Sequence, residues 1–125
     1  MTVACEETKH ECMAEPHAVD RLYATILARK RASAKTSYTA QLLKRGTAQC
    51  AKKLGEEGVE AALAAVSGTK KELIGESADV LYHLLVVWAA RGIKPKAVYD
   101  ALGARESRSG LAEKKSRRKK SRGRG

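Results

Sequence analysis

The sequence predicts an all-α bundle of four to five helices with a central acidic helical hairpin, dimeric through its helices. Three observations carry this expectation. Ala, Leu, Glu, Lys and Arg dominate, Phe is absent and aromatic residues make up 4%, a composition that favours helix over strand. Apolar residues recur at three- and four-residue spacing, with no strand-like alternation of any length. Short runs of Ser, Thr, Gly or Pro then punctuate the chain at helical intervals.

Taken in order, residues 1–17 are polar, aperiodic and marked by Pro16, and read as a disordered extension. From Ala18, VDRLYATILARKRA places Val19, Leu22, Tyr23, Ile26 and Leu27 on one stripe of an amphipathic helix. Its basic end, Arg29-Lys30-Arg31, suits the helix dipole. A loop, ASAKTS, leads to a short helix with Ser37 or Thr39 as cap and Gly46 as stop. Thr47 then reads as a fresh cap for AQCAKKLGEEGVEAALAAV, the first arm of the hairpin. Ser67-Gly68-Thr69 forms the turn.

The second arm runs from about Lys70 to Arg91. Leu73, Ile74, Ser77, Leu81, Leu84, Leu85 and Trp88 trace its apolar face. LLVVWAA is apolar almost all round, so this helix should be the most buried, in a bundle or at an oligomer interface. Gly92 stops it, and Lys94-Pro95 opens a last helix, with Pro95 at a favoured first-turn position. Periodicity ends after Glu106.

Residues 18–106 thus form one helical domain with a small core, and leftover apolar surface favours a homo-oligomer, a dimer or larger. The formal net charge of +11 belongs mostly to residues 107–125, which hold nine Lys/Arg and one Glu; the rest of the chain carries only +3. This basic run reads as a disordered tail, capable at most of weak, salt-sensitive, non-specific contact with nucleic acid. No run approaches the roughly 18 consecutive apolar residues of a membrane span. The N-terminal stretch has no apolar core of a secretory signal, so a cytoplasmic location is expected. Three cysteines, an odd number, suit reduced thiols. Cys5, His10, Cys12 and His17 form a string whose spacing does not match zinc-ligand patterns.

The chemistry is concentrated in the hairpin. Glu56, Glu57 and Glu60 on its first arm, and Glu76 and Asp79 on its second, recur at helical i, i+3 and i+4 spacing. An antiparallel hairpin brings these clusters face to face. Carboxylates beside a core are unfavourable unless a cation neutralises them, and Mg²⁺ is held by a few carboxylates, water and phosphate oxygens. Lys53, one turn before Glu56 and Glu57, and His83, one turn after Asp79, share that face. Arg29, Lys30, Ser37 and Tyr38 precede the hairpin and supply phosphate-binding donors if the chain folds over it. Such a set suits metal-assisted hydrolysis of a phosphoanhydride, with a free carboxylate as general base. Each auxiliary group also has a plainer reading. Lys53 serves equally as a helix partner of Glu57, His83 as a core-edge histidine, and Tyr38 and Tyr82 as packing residues.

KKLGEEGVEAALAAV followed by ELIGESADVLYHLLVV resembles the phosphoribosyl-ATP diphosphatases, within the all-α NTP pyrophosphohydrolase (MazG-like) superfamily. The superfamily pattern E-x-x-E, spacer, E-x-x-D corresponds to Glu57-Gly58-Val59-Glu60 and Glu76-Ser77-Ala78-Asp79. The narrower resemblance adds Glu56-Glu57, the lead-in from Lys53, Tyr82-His83, Ser37-Tyr38-Thr39 and Arg29-Lys30. It covers residues 18–106. It implies hydrolysis of phosphoribosyl-ATP to phosphoribosyl-AMP and pyrophosphate, the second step of histidine biosynthesis. It implies Mg²⁺, with Mn²⁺ as a substitute, held by Glu57, Glu60, Glu76 and Asp79. Glu56 is left to activate water or to bind additional metal. Lys53, His83, Arg29, Lys30, Ser37 and Tyr38 become substrate contacts, in helical dimers whose sites lie near the subunit interface. Gly58 departs from the alanine common after the acid pair.

Three other readings compete. A house-cleaning diphosphatase for dUTP or damaged nucleotides shares the metal pattern, but Ser37-Tyr38-Thr39 and Tyr82-His83 argue against it. A nucleic-acid-binding protein would rely on the tail, which has no interleaved aromatics. A carboxylate-bridged di-iron bundle would need E-x-x-H motifs, where this chain has E-x-x-D.

Overall fold

A computed structural model describes residues 17–106 and residue 117, in two compact units that divide after Ile93. The first unit contains α1 (Ala18–Arg29), α2 (Tyr38–Arg45), α3 (Thr47–Ser67) and α4 (Lys70–Arg91). The second contains α5 (Pro95–Glu106). The described residues form no strand, and the expected all-α architecture stands. The readings for residues 1–16, including Cys5, His10 and Cys12, and for the tail apart from Arg117, lie outside the described residues.

Local chemistry accounts for the helix ends. His17 Nδ1 accepts the Val19 amide at 3.1 Å, with Asp20 in the first turn of α1 and Arg29 in its last. Ser37, not Thr39, caps α2, its Oγ accepting the Ala40 amide at 3.2 Å. Thr47 is not the cap expected of it. Gly46, at φ 96° and ψ 171°, closes α2 and opens α3 at once, so Thr47 is already helical and α3 has no side-chain cap. That backbone conformation is essentially restricted to glycine.

The hairpin turn is equally specific. Thr69 Oγ1 accepts the Glu72 amide at 3.1 Å and caps α4. A Cβ on Gly68 would stand 2.9 Å from the Ala64 carbonyl oxygen and 3.0 Å from its Cα, so the tight reversal has no room for a side chain. At its other end α4 stops at Gly92. The Ile93 amide bonds back to the Trp88 carbonyl at 2.8 Å, and the Ile93 carbonyl accepts the Tyr23 hydroxyl at 2.7 Å. That last bond ties the chain leaving α4 to α1.

Four helices meet in one core of Tyr23 and Ile26 from α1, Leu42 from α2, Cys50 from α3, and Leu85, Val86 and Ala89 from α4. Helix α4, expected to be the most buried, is buried only over its second half: His83, Leu85, Val86 and Ala89 are buried and Leu84, Val87, Trp88 and Ala90 partly covered, whereas most of its residues before Tyr82 are exposed. Helix α4 touches all three other helices of its unit, most extensively α3. By length and composition alone it would also pass for a membrane-crossing helix, yet it carries Glu72, Glu76 and Asp79 and packs at the centre of the bundle.

The core occupies only one end of the α3–α4 hairpin. Toward the turn, Val59, Leu63 and Val66 on α3 are 60%, 61% and 89% exposed, and Ile74 on α4 is 71% exposed. Ile74, Ser77 and Leu81, placed on the apolar face by the sequence pattern, are therefore uncovered within the single chain. In the second unit, Pro95 is the first residue of α5, and Lys96 pairs with Asp100 at 2.8 Å on its exposed surface. Such a pair contributes a few tenths of a kcal/mol at most.

Leu85 is fully buried where the helices converge. Leu85→Ala is therefore expected to cost about 2–5 kcal/mol of unfolding free energy. Urea titration followed by circular dichroism measures it, and a loss below about 1 kcal/mol would contradict this placement of the core.

Candidate active site

The acidic site lies between α3 and α4, on the turn side of the core. Helical spacing aligns Lys53, Glu56, Glu57 and Glu60 along α3, and Glu76, Asp79 and His83 along α4. Across the hairpin, one carboxylate oxygen from each of Glu57, Glu76 and Asp79 lies within 4.8 Å of the others. Glu57 and Glu76 are half-buried and Asp79 is exposed, so the cluster opens to solvent on the Asp79 side. Glu60 stands at its edge, exposed, where the groove runs on past Leu63, Ala64 and Gly75 toward the turn.

Electrostatics mark the same place. Burial, followed by the neighbouring charges of Glu60 and Asp79, raises the pKa of Glu57, with partial relief from Lys53. Burial, then Glu60, Asp79 and Glu72, raises that of Glu76. Among the described residues, two buried side-chain polar atoms have no hydrogen-bond partner, Glu76 Oε2 and His83 Nδ1. Both belong to this site. Leaving a buried polar atom unpaired costs about 1–3 kcal/mol, and both such atoms stand beside the carboxylate cluster.

Around the carboxylates sits a mixed shell. Lys53 Nζ lies 3.1 Å from Glu56 Oε2 and 3.8 Å from Glu57 Oε1. Glu56 thus turns toward Lys53 and stands outside the three-carboxylate cluster. His83 is 5% exposed, with Nε2 3.8 Å from Glu57 Oε1. Burial, reinforced by Lys53 and opposed by Asp79 and Glu56, lowers its pKa from 6.5, so the imidazole is neutral at pH 7. Its contact with Glu57 is therefore dipolar. Tyr38 and Tyr82 flank the imidazole edge-on, with ring centroids 6.2 and 5.0 Å away.

The structure thus brings Lys53, Glu57, Glu60, Glu76, Asp79, His83 and Tyr38 into one neighbourhood, with Glu56 beside Lys53. Ser37 is buried at the start of α2, where it serves as the cap. Arg29 and Lys30 are exposed at the end of α1, with no ion pair to the acidic groove among the described residues. Sequence reasoning missed the hydrogen bond between the Thr39 and Tyr82 hydroxyls, which links α2 to α4 beside His83. Thr39 stands in Ser37-Tyr38-Thr39 and Tyr82 beside His83, but their pairing spans 43 positions and has no local signal.

The family model described as phosphoribosyl-ATP pyrophosphohydrolase matches residues 19–106. A phosphoribosyl-ATP pyrophosphatase of Azospirillum brasilense is 55% identical over 100 residues, covering 80% of this chain and 90% of the relative. The protein of the same name from Parvibaculum lavamentivorans is 53% identical over 104 residues, covering 83% and 95%. That of Paracoccus denitrificans is 51% identical over 108 residues, covering 85% of this chain and all of the relative. With the five helices α1 to α5 inside the matched region apart from Ala18, and the acidic groove at its centre, the chain belongs to the phosphoribosyl-ATP pyrophosphohydrolase family.

Proposed function

We propose that this chain hydrolyses phosphoribosyl-ATP to phosphoribosyl-AMP and pyrophosphate, the second step of histidine biosynthesis, at a Mg²⁺ site on the α3–α4 hairpin. Family membership supports the substrate and the reaction, and makes the chain a hydrolase of phosphoanhydride bonds. The observation that supports the site is the convergence of Glu57, Glu76 and Asp79.

The donor set fits a hard divalent ion. All three groups offer oxygen, the ligand type that hard divalent ions take, and one oxygen of each lies within 4.8 Å of the others. Glu57, Glu76 and Asp79 would hold it, with Glu60 adding a fourth carboxylate. Phosphate oxygens favour Mg²⁺, with Mn²⁺ as substitute. Bound there, the ion would neutralise phosphate charge and ease ionisation of a water.

The chain's own groups divide the remaining work. We assign Glu56, outside the convergent set, to accept the proton from water as its oxygen bonds to phosphorus and the phosphoanhydride bond breaks. Lys53 contributes positive charge next to the carboxylates, where a phosphate chain would lie. Neutral His83 offers a hydrogen bond without adding charge, and half-exposed Tyr38 presents a ring at the same place. Ser37 and the exposed Arg29 and Lys30 complete the assigned substrate contacts on the strength of the resemblance alone.

The working body is residues 18–106, and its partner is a second copy of the chain. The uncovered apolar surface of Val59, Leu63, Val66, Ile74 and Leu81 lies on the hairpin, so pairing there would put subunit contacts next to the site. Contact of residues 107–125 with nucleic acid would be no more than electrostatic and non-specific. A cytoplasmic setting, where thiols stay reduced, suits the free, buried Cys50.

Three outcomes follow from this reading. Pyrophosphate release from phosphoribosyl-ATP should require a divalent ion, and Asp79→Asn should lower kcat/KM by about 100-fold or more. Turnover in EDTA, or an unaffected variant, would sink the mechanism. Preference for dUTP over phosphoribosyl-ATP would instead favour the house-cleaning reading.

The second outcome concerns pH. Glu57 and Glu76 bind protons more tightly when folded than an ordinary carboxyl at 4.5. In metal-free protein their contribution to stability is therefore lost as pH rises from 4.5 through their folded values. His83 acts oppositely: its lowered pKa makes stability fall as pH drops below 6.5. Glu76→Gln should thus raise the metal-free melting temperature at neutral pH while weakening stabilisation by Mg²⁺. Calorimetry tests both signs, and a lowered metal-free Tm or an undiminished Mg²⁺ shift would contradict the assignment.

Third, Leu63→Lys combined with Ile74→Lys should convert the oligomer to a folded monomer with reduced turnover. Sedimentation of both proteins decides it, and a variant of unchanged mass would rule this surface out.

A further inference from the structure

We infer that Thr39 and Tyr82 are positioning residues for substrate: the bond between their hydroxyls holds the Tyr38 ring and the His83 imidazole in register beside the carboxylates. The inference rests on the functional reading above and goes beyond its assigned contacts.

The geometry is a closed circuit. Tyr38 and Thr39 are the first two residues of α2, and Tyr82 and His83 are consecutive on α4. Tyr38 meets His83 ring-to-ring at 6.2 Å and 89°, Tyr82 meets His83 at 5.0 Å and 79°, and the Tyr82 hydroxyl is hydrogen-bonded to Thr39 Oγ1. Two backbone links and three side-chain contacts therefore join into one loop around the imidazole. Thr39 is 4% exposed and His83 5%, so the ring cannot relax into water when the loop opens.

Why this tie governs function more than folding follows from the surroundings. Helix α2 has only 8 residues, too few for independent stability, so tertiary contacts set its orientation. Leu42 anchors its middle in the core. At its beginning, the chain arrives through the mostly exposed segment 30–36, and the cross-link to α4 is the Thr39–Tyr82 pair together with the ring contacts. Removing one hydroxyl leaves the other, on buried Thr39 or half-buried Tyr82, without this partner. That loosens Tyr38 and His83 while leaving Leu42, Leu85 and the three clustered carboxylates in place.

The test compares wild type with Tyr82→Phe, Thr39→Val and Thr39→Ser in the full chain. The imidazole resonances of His83, identified by their loss in His83→Gln, report ring position without reference to activity. They should shift in Tyr82→Phe and Thr39→Val and return in Thr39→Ser, which keeps the hydroxyl. With phosphoribosyl-ATP, the first two variants should raise KM about tenfold with little change in kcat, and Thr39→Ser should restore KM. Wild-type resonances with wild-type KM would overturn the inference. So would a lowered Tm with unchanged KM, or a loss that Thr39→Ser fails to rescue. If wild type itself leaves phosphoribosyl-ATP intact, the functional reading fails, and unshifted His83 resonances would then dispose of the tie separately.

Discussion

Mutual repulsion of carboxylates across the α3–α4 hairpin is the constraint that the rest of this structure answers. Glu57, Glu76 and Asp79 bring three oxygens within 4.8 Å, with Glu60 beside them, and burial aggravates the repulsion for Glu57 and Glu76. Apolar contact at the other end of the hairpin holds the arms together. Cys50 lies seven residues before Glu57, and Leu85 six after Asp79, about 9–11 Å along each helix at 1.5 Å per residue. A helix is stiff over that distance, so packing of Ile26, Leu42, Cys50, Leu85 and Val86 sets the separation of the acids. Stability is generated at one end of the hairpin and spent at the other.

Between these ends the groups change character in steps. Leu85 and Val86 are dry. His83, two residues earlier, is buried but polar, and its low pKa keeps it neutral where a charge would be costly. Asp79, one turn further, is exposed. On α3 the same progression runs from buried Cys50 to Lys53, whose ammonium lies near Glu56 and Glu57. The imidazole is therefore a joint between core and site, held edge-on by Tyr38 and Tyr82. The charged groups need water or a ligand, and the open groove past Asp79 gives them access to both.

The hairpin also leaves apolar surface that the described residues of the chain do not cover. Its inner, acidic face and its core end are accounted for, while Val66 and Ile74 near the turn are almost bare. Apolar side chains arranged on helices that already pack on one side have no further partner within residues 17–93. A second copy burying this surface would brace the arms where the intramolecular core does not reach. In the proposed dimer, the same contacts that cover the apolar groups would also stiffen the carboxylate cluster.

Much of this was legible in the one-dimensional pattern, because it depends on neighbours in sequence. Helix periodicity locates α1 to α5, Ser37 or Thr39 and Gly92 mark ends, and i, i+3 spacing puts the acids on common faces. Even there, Thr47 was misread, because one glycine both ended α2 and began α3. The family resemblance was likewise carried by short, contiguous motifs. Other features required the fold. Only packing distinguishes Glu57, Glu76 and Asp79, which converge, from Glu56, which turns to Lys53. Only packing, through burial and the approach of Lys53, lowers the pKa of His83, and only the approach of α2 to α4 joins Thr39 to Tyr82. Helical spacing determines which side chains share a face; the distance, dielectric and partners that those side chains meet depend on residues tens of positions away.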